Sequence, residues 1–474
     1  MTELTPEQQR AVERRDGSLL VRAGAGTGKT TVLVERFVRA VTEDEVGVES
    51  ILAITFTEKA AAEMRTRVRR RFIELGRREE ARASESAWIS TIHGFCSRVL
   101  RAHSLSAGID PDFRVVDELE SERLAADAFD GALEEFMGDG SDSERIEMVA
   151  AYRPDPLRDM VRTAYSHLRS RGQRHPRLEE TLPPRPAGEQ ERLEAAAQSA
   201  LAELAVAPPS ATVAKAIDCI ESRAALKGGK AKALATPACD EYRDALAAHR
   251  TFEVAEREHR DHTMLRALLE LYGDRYERLK RERSGLDFED LELIARDLLA
   301  RHEGLREAYS SRFEHVLVDE FQDTNELQNE LLELLARENL FRVGDENQSI
   351  YRFRHADVGV FRSHWERAEA EGSAESITVN FRSRGEVLDA LDLAFERTWD
   401  DFDPLREAPD ARAERPALEP CVELLVTDRS KPRWDAALGG EEPFGQALRG
   451  ATPWRAAEAR LLARRIEEIA AEGG

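Results

Sequence analysis

Two stretches of this 474-residue chain hold side chains that can act together on a phosphate. The first is Ala23-Gly24-Ala25-Gly26-Thr27-Gly28-Lys29-Thr30, a glycine-rich turn that closes on Lys-Thr. It fits the phosphate-binding pattern G-x-x-x-x-G-K-[ST], except that Ala23 stands where the first glycine is usual. Glycines let such a turn fold so that backbone N–H groups cradle the β- and γ-phosphates, and the start of the following helix adds a favourable dipole. Lys29 then supplies a point charge and Thr30 a hydroxyl for Mg²⁺, so ATP and Mg²⁺ are the expected cofactors. The second stretch is Val316-Leu317-Val318-Asp319-Glu320, an apolar run ending in two carboxylates. Asp319 is placed to orient Mg²⁺ and Glu320 to take a proton from an attacking water. Two acids after an apolar run also arise by chance. The continuation Phe321-Gln322-Asp323-Thr324 is what narrows the reading.

Both stretches need strands to deliver them to one edge of a sheet, because ligands of open parallel sheets bind beyond the strand C-termini. The first hundred residues supply that pattern. Ser18–Ala23, Ser50–Phe56 and Ala87–Thr91 read as buried strands, and Thr31–Arg39 and Lys59–Phe72 as the helices that follow them. From about Asp117 to Arg283 the strand signal disappears. There the chain is helix-rich, with Pro-rich loops at His175–Gly188 and Ala207–Ser210. Apolar residues from Tyr242 through Leu268, Leu269, Tyr272 and Tyr276 to Leu279 predict a long amphipathic helix. Strands return at His315–Asp319 and Leu340–Val343. A further segment opens near Ser376 (SITVNFRS) and runs through Cys421–Thr427 to a helix at Trp454–Ala471.

DEFQDT at Asp319–Thr324, taken with AGAGTGKT, is similar to the motif pair of UvrD/Rep-type superfamily 1 DNA helicases, including the RecB/AddA branch. Other motifs of the family follow in its order: LTPEQQRAV at the N-terminus, TFTEKAAAEM at Thr55–Met64, TIHGF at Thr91–Phe95, LDFED at Leu286–Asp290, VGDENQSIYRFR at Val343–Arg354 and NFRS at Asn380–Ser383. Glu58 departs from the Asn of many relatives, and Phe381 from the usual Tyr. The resemblance implies an α/β fold, a P-loop (RecA-like) doubly wound parallel sheet with a large helical insertion and a partial second α/β domain. Residues 1–116 and 281–370 would form the ATP-binding motor domain, 117–280 the insertion, and 371–474 an incomplete second motor domain. It further implies that Gln8 reads the adenine edge beside the loop Ala23–Thr30. Phe381 would stack on adenine, and Gln348 and Arg382 would contact the γ-phosphate. Phe56, Thr91, His93, Phe353 and Arg354 would meet single-stranded DNA, for which aromatic stacking is sequence-tolerant. A core position stands as the alternative for Phe56, Tyr351 and Phe353, and a satisfied structural histidine for His93.

The implied activity is ATP-driven 3′→5′ translocation on single-stranded DNA in repair or recombination. The family's last two motifs, a Gly-Leu-Glu-containing contact and a YVALTRA-type arginine, have no match after Arg382. Two expectations follow: an ATPase completed by a partner chain that carries the missing half or a nuclease, or an ATP- and DNA-binding chain without turnover. Composition limits the rest. Net charge is −23, from 92 acidic and 69 basic residues, and only eight of the basic ones are lysines. An acidic, lysine-poor surface suits a high-salt cytoplasm, or arises from a GC-rich genome. Cys96, Cys219, Cys239 and Cys421 lie far apart, as do the reduced thiols of a cytoplasmic protein, and no run is apolar enough for a membrane span. Lys29→Ala removes the only side-chain cation of the phosphate cradle, so a fluorescent ATP analogue should no longer bind; unchanged affinity would refute the assignment.

Overall fold

The structure, a computed structural model, describes residues 4–226, 234–351, 356–399, 402–409, 422–425 and 453–472. Phe353, Arg354 and part of the run Cys421–Thr427 (Cys421, Val426 and Thr427) lie outside the described residues. To residue 377 the strands are β1 (Leu19–Ala23), β2 (Ile51–Thr55), β3 (Trp88–Thr91), β4 (Arg114–Val115), β5 (Gly285–Leu286), β6 (His315–Val318), β7 (Leu340–Gly344) and β8 (Ala374–Ile377). The chain forms two compact units, one of Met1–Thr91, Ser310–Thr324 and Ala336–Gly474, the other of Ile92–Tyr309 and Asn325–Leu335.

The first unit is built on a parallel sheet in the order β3-β2-β6-β7-β1-β8. Its central strands are mostly apolar, β2 and β6 being buried at every position, because both faces are covered. One face carries α1 (Pro6–Glu13), α2 (Lys29–Thr42) and α3 (Glu58–Glu74), whose Val12, Phe37, Val38, Met64, Val68 and Phe72 pack on Leu19, Val21, Ile51, Ala53, Leu317 and Phe341. Each helix start is locally encoded. Thr5 and Gln8 form a reciprocal capping box at α1, Gly28 enters α2 in the left-handed region, and Thr57 accepts from Ala60 N–H at α3. The buried Arg36 guanidinium of α2 donates to the carbonyls of Ala11 (2.7 Å) and Arg14 (2.5 Å) and lies over Phe341, which fixes α1 beside the loop.

Parallel order brings the C-terminal ends of β1, β2, β3, β6 and β7 to one edge. One strand differs from its expected place. Ala374–Ile377 does not open a second sheet; it is the outer strand of the first, paired parallel with β1 from Leu20↔Ala374 to Ala23↔Ile377. Only Ile377 of β8 is buried, so the alternation carried no sign of which sheet it would join. Val379–Asn380 then pairs with Arg406–Glu407 in a separate two-stranded ladder.

Among the described residues the second unit is helical apart from the β4–β5 ladder. The predicted long helix runs without a break over Pro237–Arg281, 45 residues or roughly 68 Å at 1.5 Å per residue. Near its start Cys239, Tyr242, Ala245 and Leu246 pack with Leu193, Leu204, Val213 and Ile220, and near its end Leu268, Leu269, Tyr272 and Tyr276 pack with Leu124, Phe129, Phe136 and Tyr165. Among the described residues no helix is long and apolar enough to cross a membrane.

The LDFED segment is a buried charge network in this unit. Lys280 Nζ donates to Asp287 (2.6 Å) and Asp290 (2.5 Å), and Arg169 Nη2 to Asp290 at 2.6 Å. Asp287 also caps the helix Phe288–Arg301. Burial opposes ionisation of Asp287, but the Arg169 and Lys280 charges hold its carboxyl well below the usual range; burial pushes Glu289 up to about 7, with Arg169 opposing. Arg169 is 1% exposed, so Arg169→Met leaves buried carboxylates short of a partner and should destabilise the protein by about 3–5 kcal/mol, read by urea unfolding. A loss below about 1 kcal/mol would show the network to be dispensable.

Candidate functional site

The loop between β1 and α2 turns its carbonyls away from the space it encloses. Thr27 Oγ1 donates to the Gly24 carbonyl (2.8 Å), Asn380 Nδ2 to that of Ala25 (2.6 Å), Phe381 N–H to that of Gly26 (2.9 Å), and Gln8 Nε2 to that of Thr27 (2.8 Å). With those acceptors engaged, the N–H groups at the start of α2 remain as orphan donors on the helix's positive end. Gly26 and Gly28 have φ of 74° and 85°, in the left-handed region that favours glycine. A Cβ at Gly26 would also meet Cβ of Arg382 at 2.6 Å, and one at Gly28 would meet Gln8 Nε2 at 2.8 Å. Ala23 is the buried last residue of β1, where its methyl group is accommodated within the core, so the departure from the usual first glycine costs the turn nothing.

Lys29 opens α2 and faces the strand ends. Its Nζ lies 2.6 Å from Glu320 Oε2 and 3.3 Å from Gln348 Oε1. Glu320 follows β6 in a left-handed conformation, φ 50°, and Gln348 ends the short turn Glu346–Gln348 that follows β7. Asp319 accepts from Glu320 N–H at 3.0 Å. Gln322 holds the two strand ends together, donating to Glu320 (2.9 Å) and accepting from Asp345 N–H (2.9 Å). Burial first, then the Glu320 charge, push Asp319 up to about 7 and Asp323 up to about 6, with Lys29 opposing in both. Among the described residues, this crowd of acids carries more negative charge than Lys29 balances, and its chemistry suits a divalent cation. Asp319 and Thr30, in the first turn of α2, are the oxygen donors at hand.

Gln8 has no free end: its Oε1 accepts from Thr5 N–H at 3.0 Å while its amide holds Thr27. Phe381 is half-buried against the loop, and Arg382 is exposed with its N–H donating to Asn380 Oδ1 at 2.8 Å. Asn380, 1% exposed, thus joins the loop to the NFRS segment, a role that sequence reasoning did not assign it. Its position as the first residue of that motif was the available signal. Glu7 was missed in the same way; it accepts from Thr378 N–H (2.8 Å) and Oγ1 (3.0 Å), fixing α1 to the segment after β8.

The residues expected to meet DNA are placed less uniformly. Phe56, just past β2, packs its ring 4.5 Å from that of Tyr351. Thr91, at the end of β3, donates from Oγ1 to Glu58 at 2.6 Å, so the residue that departs from the family pattern has a defined partner. His93 belongs to the other compact unit. There its Nε2 lies 3.0 Å from Glu292 Oε1 and its ring stands edge-on to Phe288. Phe353 and Arg354 lie outside the described residues.

Residues 4–368 match the family model described as the UvrD/REP helicase N-terminal domain. Curated relatives, each named as one of the subunits of an ATP-dependent helicase/nuclease, match over nearly the whole chain. That of Geobacillus kaustophilus (strain HTA426) is 31% identical over 98% of this chain and 45% of its own length. Those of Geobacillus thermodenitrificans (strain NG80-2) and Alkaliphilus oremlandii (strain OhILAs) are 29% and 28% identical, again over 45% of their length. The chain therefore spans less than half the length of these relatives. With a family match across most of its residues and the loop, acid pair and glutamine gathered at one sheet edge, the chain belongs to the UvrD/Rep helicase family.

Proposed function

We propose that this chain binds Mg·ATP at the β1–α2 loop and couples its hydrolysis to movement along single-stranded DNA. The observation that carries the reading is the Lys29 ammonium, held between Glu320 and Gln348 at the ends of two different strands. A phosphate chain seated on the loop N–H groups takes Glu320's place on Lys29. Glu320 is then released to accept the proton of an attacking water, and Gln348 stays within reach of the terminal phosphate. Thr30 and Asp319 would hold Mg²⁺, which neutralises phosphate charge as it develops. Gln8 and Phe381 serve the adenine, Gln8 by exchanging one of its present partners, and Arg382 serves the γ-phosphate. Phe56, Thr91, His93, Phe353 and Arg354 are the proposed DNA contacts, and 3′→5′ movement is proposed on the family resemblance. The relatives are named as one component of a helicase/nuclease, which supports a companion chain for this one as well, in the cytoplasm.

Steady-state ATPase with and without single-stranded DNA tests the proposal. Glu320→Gln should keep affinity for an ATP analogue and lower turnover by about 10²–10⁴-fold, because the amide cannot take a proton. Equal loss of binding in Asp319→Asn and Glu320→Gln would overturn the division of roles.

A pH dependence follows from Asp319. Its carboxyl, pushed up to about 7, must lose a proton before it can ligate a cation. Mg²⁺ affinity in an analogue-binding titration should therefore rise as pH increases through about 7. Glu320→Gln removes the neighbouring like charge and should move that midpoint to lower pH. Affinity that is flat between about pH 6 and 8 would contradict the assignment of Asp319 as ligand.

A further inference from the structure

Glu346 lies in the turn that carries Gln348, and its carboxylate is only 3% exposed. Two guanidinium groups hold it: Arg22 Nη2 at 2.9 Å and Arg362 Nε at 2.7 Å. Arg22 is the residue of β1 just before the loop begins. Its neighbours Val21 and Ala23 face the core under α2, so Arg22 leaves on the opposite face of the sheet, where its guanidinium sits 4.1 Å from the centre of the Trp365 ring. In register, Arg22 stands beside Gly344, the residue before Asp345.

Two further bonds reach outside the turn, Asp345 N–H to Gln322 Oε1 at 2.9 Å and the Ser349 side chain to Asp323, both toward β6; the turn's backbone bonds beyond Asp345 are internal. Gln348 N–H donates to the Asp345 carbonyl (2.9 Å), Asn347 N–H to Asp345 Oδ1 (3.0 Å), and Ser349 N–H to the Glu346 carbonyl (3.3 Å). The internal bonds fix the turn's shape, and the two external ones tie it to the segment after β6, not to the strand that leads to Lys29. Gln348 Oε1 is already 3.3 Å from Lys29 Nζ, so an outward drift of about half an ångström would end that hydrogen bond.

We propose that Arg22 and Glu346 are positioning residues: a buried ion pair ties the strand that leads into the phosphate loop to the turn that carries Gln348. The effect on turnover rests on the function proposed above; the effect on the turn does not. Arg suits the task, since a planar guanidinium can stack on Trp365 and bond a carboxylate at once. Neither residue touches Lys29 or Glu320. They act through Gln348.

Two measurements on the full chain test this. Hydrogen exchange of Glu346→Gln should show the amides of residues 347–349 exchanging at least about tenfold faster, with β1 and β7 still protected. Kinetics should show kcat reduced by about 10–10²-fold with ATP-analogue affinity within about threefold of the parent, the split expected of misplacement rather than lost binding. Arg22→Met, which leaves Glu346 its bond to Arg362, should reproduce both effects, and the double variant should add little to either. Unchanged exchange in the turn would overturn the proposal, as would a loosened turn with unaltered kcat. Loss of protection throughout β1 and β7 in both variants would also overturn it, making the pair a stability element. If the parent chain shows no DNA-stimulated turnover, the proposed function fails while the exchange measurement still decides the clamp.

Discussion

The ammonium of Lys29 meets Glu320 at 2.6 Å and Gln348 at 3.3 Å, and much of the first unit serves to bring those groups to one point. Each is delivered by a different strand end: Lys29 after β1, Glu320 after β6, Gln348 after β7. Because these strands are parallel and adjacent in the order β6-β7-β1, their C-termini share an edge without any loop having to cross the sheet. Among the described residues, Lys29 stands as the cation amid several carboxylates, a strained balance of charge. It is reflected in Asp319, pushed up to about 7 by burial and by Glu320 beside it. A site so arranged favours the arrival of a divalent cation and of a phosphate that can compete for Lys29.

The loop is held in shape from outside. Gln8, Asn380 and the backbone of Phe381 come from segments distant in sequence from the loop, and each engages a loop carbonyl. Asn380 also accepts from Arg382 and Ser383 N–H, so the loop and the NFRS segment cannot shift independently without breaking a buried amide's bonds. The same logic ties the far side, where Gln322 bonds Glu320 and the Asp345 backbone at once. Amide side chains suit these places. They carry donor and acceptor together and add no charge to a region already crowded with it.

Sequence made much of this legible where one short segment suffices to state it. The Gly-rich loop, the acid pair after HVLV and the 3.6-residue periodicity of the long helix each appeared close to their expected limits. What stayed hidden depends on contacts between distant segments. The strand Ala374–Ile377 buries only Ile377, and nothing in AESI says that it pairs with β1. Asn380 and Glu7 acquire their significance from partners in other segments. Gln8 was expected at the adenine, yet both ends of its amide are committed to the capping box and to Thr27. The partner of His93, Glu292, lies about two hundred residues away in sequence.

The most direct test of the account is a crystal structure of this chain with Mg²⁺ and a non-hydrolysable ATP analogue. A phosphate oxygen should lie within about 3 Å of Lys29 Nζ with Glu320 turned off the lysine, and Asp319 and Thr30 should face the cation. An analogue bound elsewhere, or bound at the loop with the Lys29–Glu320 pair intact, would contradict it.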